Sequence, residues 1–217
     1  MTDAIRQLLL GAGVSLLLAI VGITCGTVLG ILLTTLGFSR FVVLRLLYRT
    51  VVFLVRGTPL LVLALLVFYT LPALDLRAGP YVAGGIVLSL YTSVFFAEVF
   101  RGGVLAIPRA QWESARSLGL PPIELFRRVV APLAVRYSLP AYVNICVMSI
   151  KASSILSIIS VWELTLASRE IIERTLWVFS TLGFAAFLYF MMCFSLDRAG
   201  GILERRLMRK GFVGVNM

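Results

Sequence analysis

Apolar residues fill this chain in five long blocks, and polar positions fall into short, arginine-rich interruptions between them. Residues 8–38 hold no charged side chain, more than the ~20 residues that a helix needs to cross a bilayer core. Within this block Gly22, Gly26 and Gly30 recur every four residues and share one helix face. That spacing either lets a neighbouring helix approach closely or reflects the ordinary glycine enrichment of membrane helices. Residues 39–56 have a different pattern: Arg40, Arg45, Arg49 and Arg56 interleave with Phe41, Val42, Leu46 and Leu47. This predicts an amphipathic basic helix entering the next span from the membrane surface. Gly57-Thr58-Pro59 breaks it, and a second span covers 57–74. Residues 75–80 form a short turn, and further spans are predicted at 81–100, 138–160 and 176–196. Residues 162–174 are expected to be a polar connection and 197–217 a basic tail. The fold class is therefore an all-α integral membrane protein, one transmembrane domain (1–217) of five helices.

The longest interruption, 101–136, has local structure of its own. Pro108 opens a short helix, where a missing N–H costs nothing. Gly119 ends it by supplying a left-handed residue, and Pro121-Pro122 forbids continuation. A second short helix starts at Pro122, with Glu124 and Arg128 four apart, and Pro132 is expected to end it. Trp112, Ala115 and Leu118 share one apolar face of the first helix, with Glu113 and Arg116 beside it. Such a helix, tethered by two spans, either docks a partner or merely caps the bundle and lies on headgroups.

Composition and charge sharpen this picture. The chain is 60% hydrophobic and 14% charged, against about 25% charged in soluble domains. Its formal net charge is +10, and 18 of its 20 basic residues are arginine. In a soluble protein that would suggest nucleic acid, but these arginines flank spans, which is how membrane orientation is set. Segments 40–56, 101–136 and 197–217 hold four, six and five basic residues, whereas 75–80 and 162–174 hold one and two. The positive-inside rule thus predicts the N-terminus outside, with the C-terminus and the long loop in the cytoplasm.

Several chemistries find no support. There is no histidine, and Cys25, Cys146 and Cys193 have no paired spacing, so they read as small buried apolar residues rather than metal ligands. The first apolar block is too long for a cleavable signal. No phosphate-cradling GxxxxGK[ST] loop occurs, so ATP is not expected on this chain, and no nucleophile–base set points to an enzyme. Two charges lie within predicted spans. Lys151 costs about 2.5–3.5 kcal/mol at the bilayer centre unless it faces a partner or water. Residues 147, 151 and 154 share one helix face, and 146, 150, 153 and 157 the next. Lys151, Ser153 and Ser154 thus form a polar cavity wall or, alternatively, Lys151 pairs internally, for instance with Glu98. Glu98 itself lies one turn from Arg101, which favours a local pair over a place along the cavity.

Glu113-Ser114-Ala115, three residues, Gly119, nine residues, Val129, one residue and Ala131-Pro132 together resemble the EAA loop of bacterial ABC-importer permeases. Other runs resemble the polar-amino-acid permeases (histidine/glutamine/arginine-type) in particular: Arg56-Gly57-Thr58-Pro59-Leu60-Leu61, Ala97-Glu98 followed by Arg101-Gly102-Gly103, and Glu163-Leu164-Thr165. Two positions depart from the family pattern. Leu63 stands where a glutamine is common, and Ala152 replaces the acid of a Lys-Asp-Thr/Ser-Ser run.

The resemblance implies a multi-pass subunit of the bacterial plasma (inner) membrane. It would pair with a second permease subunit and take solute from an extracytoplasmic solute-binding protein. ABC ATPase subunits holding ATP and magnesium would grip helix 109–120. Arg109, Trp112, Glu113, Ala115, Arg116, Leu118 and Gly119 would make that contact, with Glu98, Lys151, Ser153 and Ser154 along the substrate path. Membrane lipid is the surrounding partner, and nucleic acid is not expected. An ATP-independent channel or secondary carrier is the alternative.

Overall fold

The computed structural model describes residues 2–209; the end of the predicted basic tail, 210–217, lies outside the described residues. The described chain is helical throughout, without strands. Helix α1 spans Thr2–Gly37, α2 Val42–Gly57, α3 Leu60–Ala73, α4 Pro80–Leu105 and α5 Arg109–Ser117. A short α6 (Pro122–Leu125) runs through a π turn (Phe126–Val130) into α7 (Ala131–Ala152), which tightens to a 3₁₀ turn over Ser153–Ile159. Helices α8 (Leu164–Thr175) and α9 (Val178–Arg209) complete it. Four helical stretches are long and apolar enough to cross a membrane: α1, α4, the α6–α7 run and α9; α2 with α3 adds a fifth if that bent pair is counted as one span.

Helices α1 and α4 form the centre. A Cβ on Gly22 would come within 2.7 Å of Leu88 Cβ, and one on Gly30 within 2.8 Å of Phe96 Cβ. Between them Gly26 faces Thr92, whose hydroxyl donates to the Gly22 carbonyl at 2.7 Å. The four-residue glycine spacing is thus a packing seam, its backbone close enough to accept a side-chain hydrogen bond from the next helix. At the break between α2 and α3 the axis turns by 109°. Thr58 adopts extended backbone because it precedes Pro59, and its hydroxyl donates to the Leu54 carbonyl at 2.8 Å.

The structure corrects four boundary expectations. Arg101, Gly102 and Gly103 belong to α4, and the segment between spans is shorter than 101–136. Pro132 does not end a helix: the π turn widens the coil just where its missing N–H and ring would disrupt tight winding, and the helix runs on. Residues 162–174 are not a plain connection, since α8 fills most of them. Helix α9 continues well past residue 196, to Arg209. Of the cysteines, Cys146 is buried and Cys193 half-buried, but Cys25 is exposed.

Candidate functional site

Helix α5 rests on the ends of two spans. Ala115 is buried and Trp112 half-buried among Val104 and Ile107 of α4 and its continuation, and Leu125, Val130 and Ala134 at the start of the α6–α7 run. The two supporting helices are themselves locked together nearby. The Ser138 hydroxyl donates to the Val99 carbonyl at 3.2 Å, and Gly103 packs against Ser138 and the Ala134 carbonyl. A push on α5 therefore bears on both helices at once. The helix stops as its residues dictate: Gly119 has φ +68°, and its N–H donates to the Arg116 carbonyl at 2.9 Å.

The predicted apolar face is split. Trp112 and Ala115 point into this chain, so Trp112 is not a free anchor for a partner, while Leu118 is 77% exposed. The outward surface carries Arg109, Glu113, Arg116 and Gly119, all exposed. A Cβ on Gly119 would meet nothing within 4 Å.

Glu98 does not pair with Arg101 or with Lys151. Its carboxylate accepts the Tyr48 hydroxyl and forms an ion pair with Arg56 at 3.4 Å, joining α4 to α2. Those partners lie about 40–50 residues away, beyond any i,i+3 reading. The two candidate faces of α7 also separate. Residues 146, 150, 153 and 157 are all buried, with Ser153 fully so and its hydroxyl donating to the Ile150 carbonyl at 2.8 Å. Lys151 is exposed and Ser154 half-buried, its hydroxyl bonded to the Lys151 carbonyl. Ser153 is thus not brought to the surface that Lys151 occupies. The two apolar departures, Leu63 and Ala152, are buried in one cluster with Val67, Leu88 and Leu156.

Sequence reasoning missed the strongest polar junction. Glu163 is fully buried at the N-cap of α8. Its carboxylate accepts the backbone N–H of Thr165 (2.9 Å) and Leu166 (3.0 Å), the Ser15 hydroxyl (3.1 Å) and the Tyr189 hydroxyl (2.7 Å). Burial pushes this carboxyl up, and the four donors pull it back. An acidic residue immediately ahead of a periodic stretch was the available cue for a cap; Ser15 and Tyr189 could not be read as its partners. Among the described residues, no group of three or more metal-ligating side chains comes together.

Residues 26–209 match the family described as "Binding-protein-dependent transport system inner membrane component". The octopine transport system permease protein OccM of Rhizobium radiobacter is 36% identical over 91% of this chain and 84% of its own length. The glutamine transport system permease protein GlnP of Escherichia coli K12 is 33% identical over 94% of both. A crystal structure of an amino acid ABC transporter with histidines superposes with a TM-score of 0.89 at 29% identity, covering 95% of this chain and 96% of that one. The methionine ABC transporter MetNI, at 19% identity and a TM-score of 0.77, shares the fold. These are transport components rather than enzymes, and the chain, a multi-pass membrane protein, belongs to the family of inner membrane permease subunits of binding-protein-dependent ABC transport systems.

Proposed function

We propose that the chain is the transmembrane subunit of an ATP-driven importer for a polar amino acid or similar zwitterion in the bacterial plasma membrane. One observation carries the coupling part: α5 packs its inner face on the ends of α4 and the α6–α7 run and exposes a polar outer face. ABC ATPase subunits, holding ATP and magnesium, dock on that face through Arg109, Glu113, Arg116, Leu118 and Gly119. Trp112 and Ala115 act from behind, transmitting the displacement into the bundle. The basic flanks of α2, α4 and α5 favour a cytoplasmic position for this helix. A second permease subunit completes the path, and an extracytoplasmic binding protein delivers solute. Lys151 is a mid-span cation without an ion pair among the described residues; pointing into a wet pathway relieves its cost. Relatives named for octopine and glutamine support the solute class.

Uptake by the assembled transporter in vesicles tests this reading. Gly119→Asp puts a charged side chain into open space but at a left-handed φ; Gly119→Asn, of the same size and backbone strain without the charge, serves as its control. In the Asp variant, ATP-dependent uptake and ATPase co-purification should both disappear while membrane insertion persists. Uptake that survives, or that needs no ATP, overturns the coupling role in favour of a channel or carrier.

A further inference from the structure

A cavity of about 580 Å³ lies beside α2, and neither α5 nor Lys151 lines it. Arg45, Arg49, Arg56 and Arg101 line it together with Tyr48 and Glu98. Four guanidinium groups against one carboxylate leave three uncompensated positive charges. Glu98 is already committed to Tyr48 and Arg56. Among the described residues, Arg45, Arg49 and Arg101 have no ion pair; Arg45 reaches only the Ser39 carbonyl, at 3.5 Å. Like charges gathered around an open space repel unless an anion enters it.

The surroundings select the kind of anion. Helix α2 bends 109° away from α3, so when α3 crosses the bilayer α2 lies close to its surface. Val42, Val43, Leu46, Leu47 and Leu54 on α2 are exposed, and Phe53, which lines the cavity, is 76% exposed. A free inorganic anion would use the charges alone. A phospholipid uses both, with its phosphate among the guanidinium groups and its acyl chains along that apolar surface. The geometry points to a binding site for the headgroup of an anionic phospholipid, held between α2 and the end of α4. It rests on α2 lying at the membrane surface, as the proposed topology requires. The site joins the lipid to the two helices that the Arg56–Glu98 pair connects.

The test is native mass spectrometry of the full-length chain, released from detergent with added phosphatidylglycerol or phosphatidylcholine of equal acyl length. Phosphatidylglycerol should be retained in preference. Arg45→Gln with Arg49→Gln should weaken it about 25-fold, roughly fivefold for each surface cation removed. Arg45→Lys with Arg49→Lys should keep most of the binding, which separates charge loss from misfolding. Arg205→Gln with Arg206→Gln, the same charge change outside the cavity, should leave it within about twofold. Equal retention of the two lipids, or equal weakening by the two glutamine pairs, overturns the site. Full displacement by millimolar inorganic phosphate overturns the lipid assignment in favour of a free anion. The measurement involves no transport, so its failure and a failure of the coupling role stay distinguishable.

Discussion

Glu163 and Glu98 are both carboxylates near helix α1, toward opposite ends of it, and they are held in opposite ways. Glu163 is sealed from solvent and accepts four hydrogen bonds, two from the first turn of α8 and one each from α1 and α9. The Ser15 hydroxyl that serves it also accepts the Leu164 N–H, at 3.2 Å. Glu98 has a side chain 34% exposed, and its partner Arg56 is 46% exposed. A pair of that kind is worth at most about 1 kcal/mol, because water screens it. One end of the bundle is thus tied by a buried network that resists opening. The other, two turns of α4 before α5 begins, is joined by contacts that can break and reform.

The comparison breaks most clearly at Glu163. Replacing it with alanine leaves two hydroxyls and two backbone N–H groups without their acceptor, a loss of about 3 kcal/mol or more. Thermal melting of the detergent-purified chain should show a large drop; a drop equal to that of Glu98→Gln would erase the contrast. The α1–α4 seam comes next. Gly26→Ala drives a methyl group into Thr92 and should cost about 1–3 kcal/mol, whereas Gly13→Ala, with nothing within 4 Å, should be neutral or slightly stabilising. Equal effects at these two positions would deny the seam. Glu98→Gln should change melting by less than about 1 kcal/mol.

The smallest effect is a pH slope. Burial raises the folded pKa of Glu163 above its ordinary value of 4.5, so the folded state holds this proton more tightly than the unfolded one. The contribution is fully present below 4.5 and declines as pH rises through the raised value. Melting followed upward from pH 4.5 should fall slightly, and Glu163→Gln should flatten that portion. A rise over the same window, abolished by the Gln substitution, would reverse the assignment.

Much of this was legible in local pattern. The spans, the Gly57-Thr58-Pro59 break, the left-handed stop at Gly119 and the loop charge asymmetry each depend on residues within a turn or two of one another. Even the four-residue glycine spacing named the correct face of α1, since a helix carries its own periodicity. What local pattern left open were choices between neighbouring faces. Serine at 153 and lysine at 151 are equally polar in sequence, yet one is packed and the other exposed. Trp112, Ala115 and Leu118 read as one apolar face that either docks a partner or caps the bundle, and only the placement of Leu125 and Val130 set Trp112 and Ala115 against this chain while Leu118 stayed exposed.

The sequence by itself determined that this is a helical membrane protein with a structured, basic loop between two spans. Hydrophobic length, backbone-breaking residues and charge placement are short-range properties that act before any tertiary contact forms. Tertiary structure alone decided which carboxylate meets which donor: Glu98 with Tyr48 and Arg56, Glu163 with Ser15 and Tyr189. The free energy of those contacts depends on burial and on groups brought together from as far as 148 residues apart. No spacing rule along one helix reaches that far.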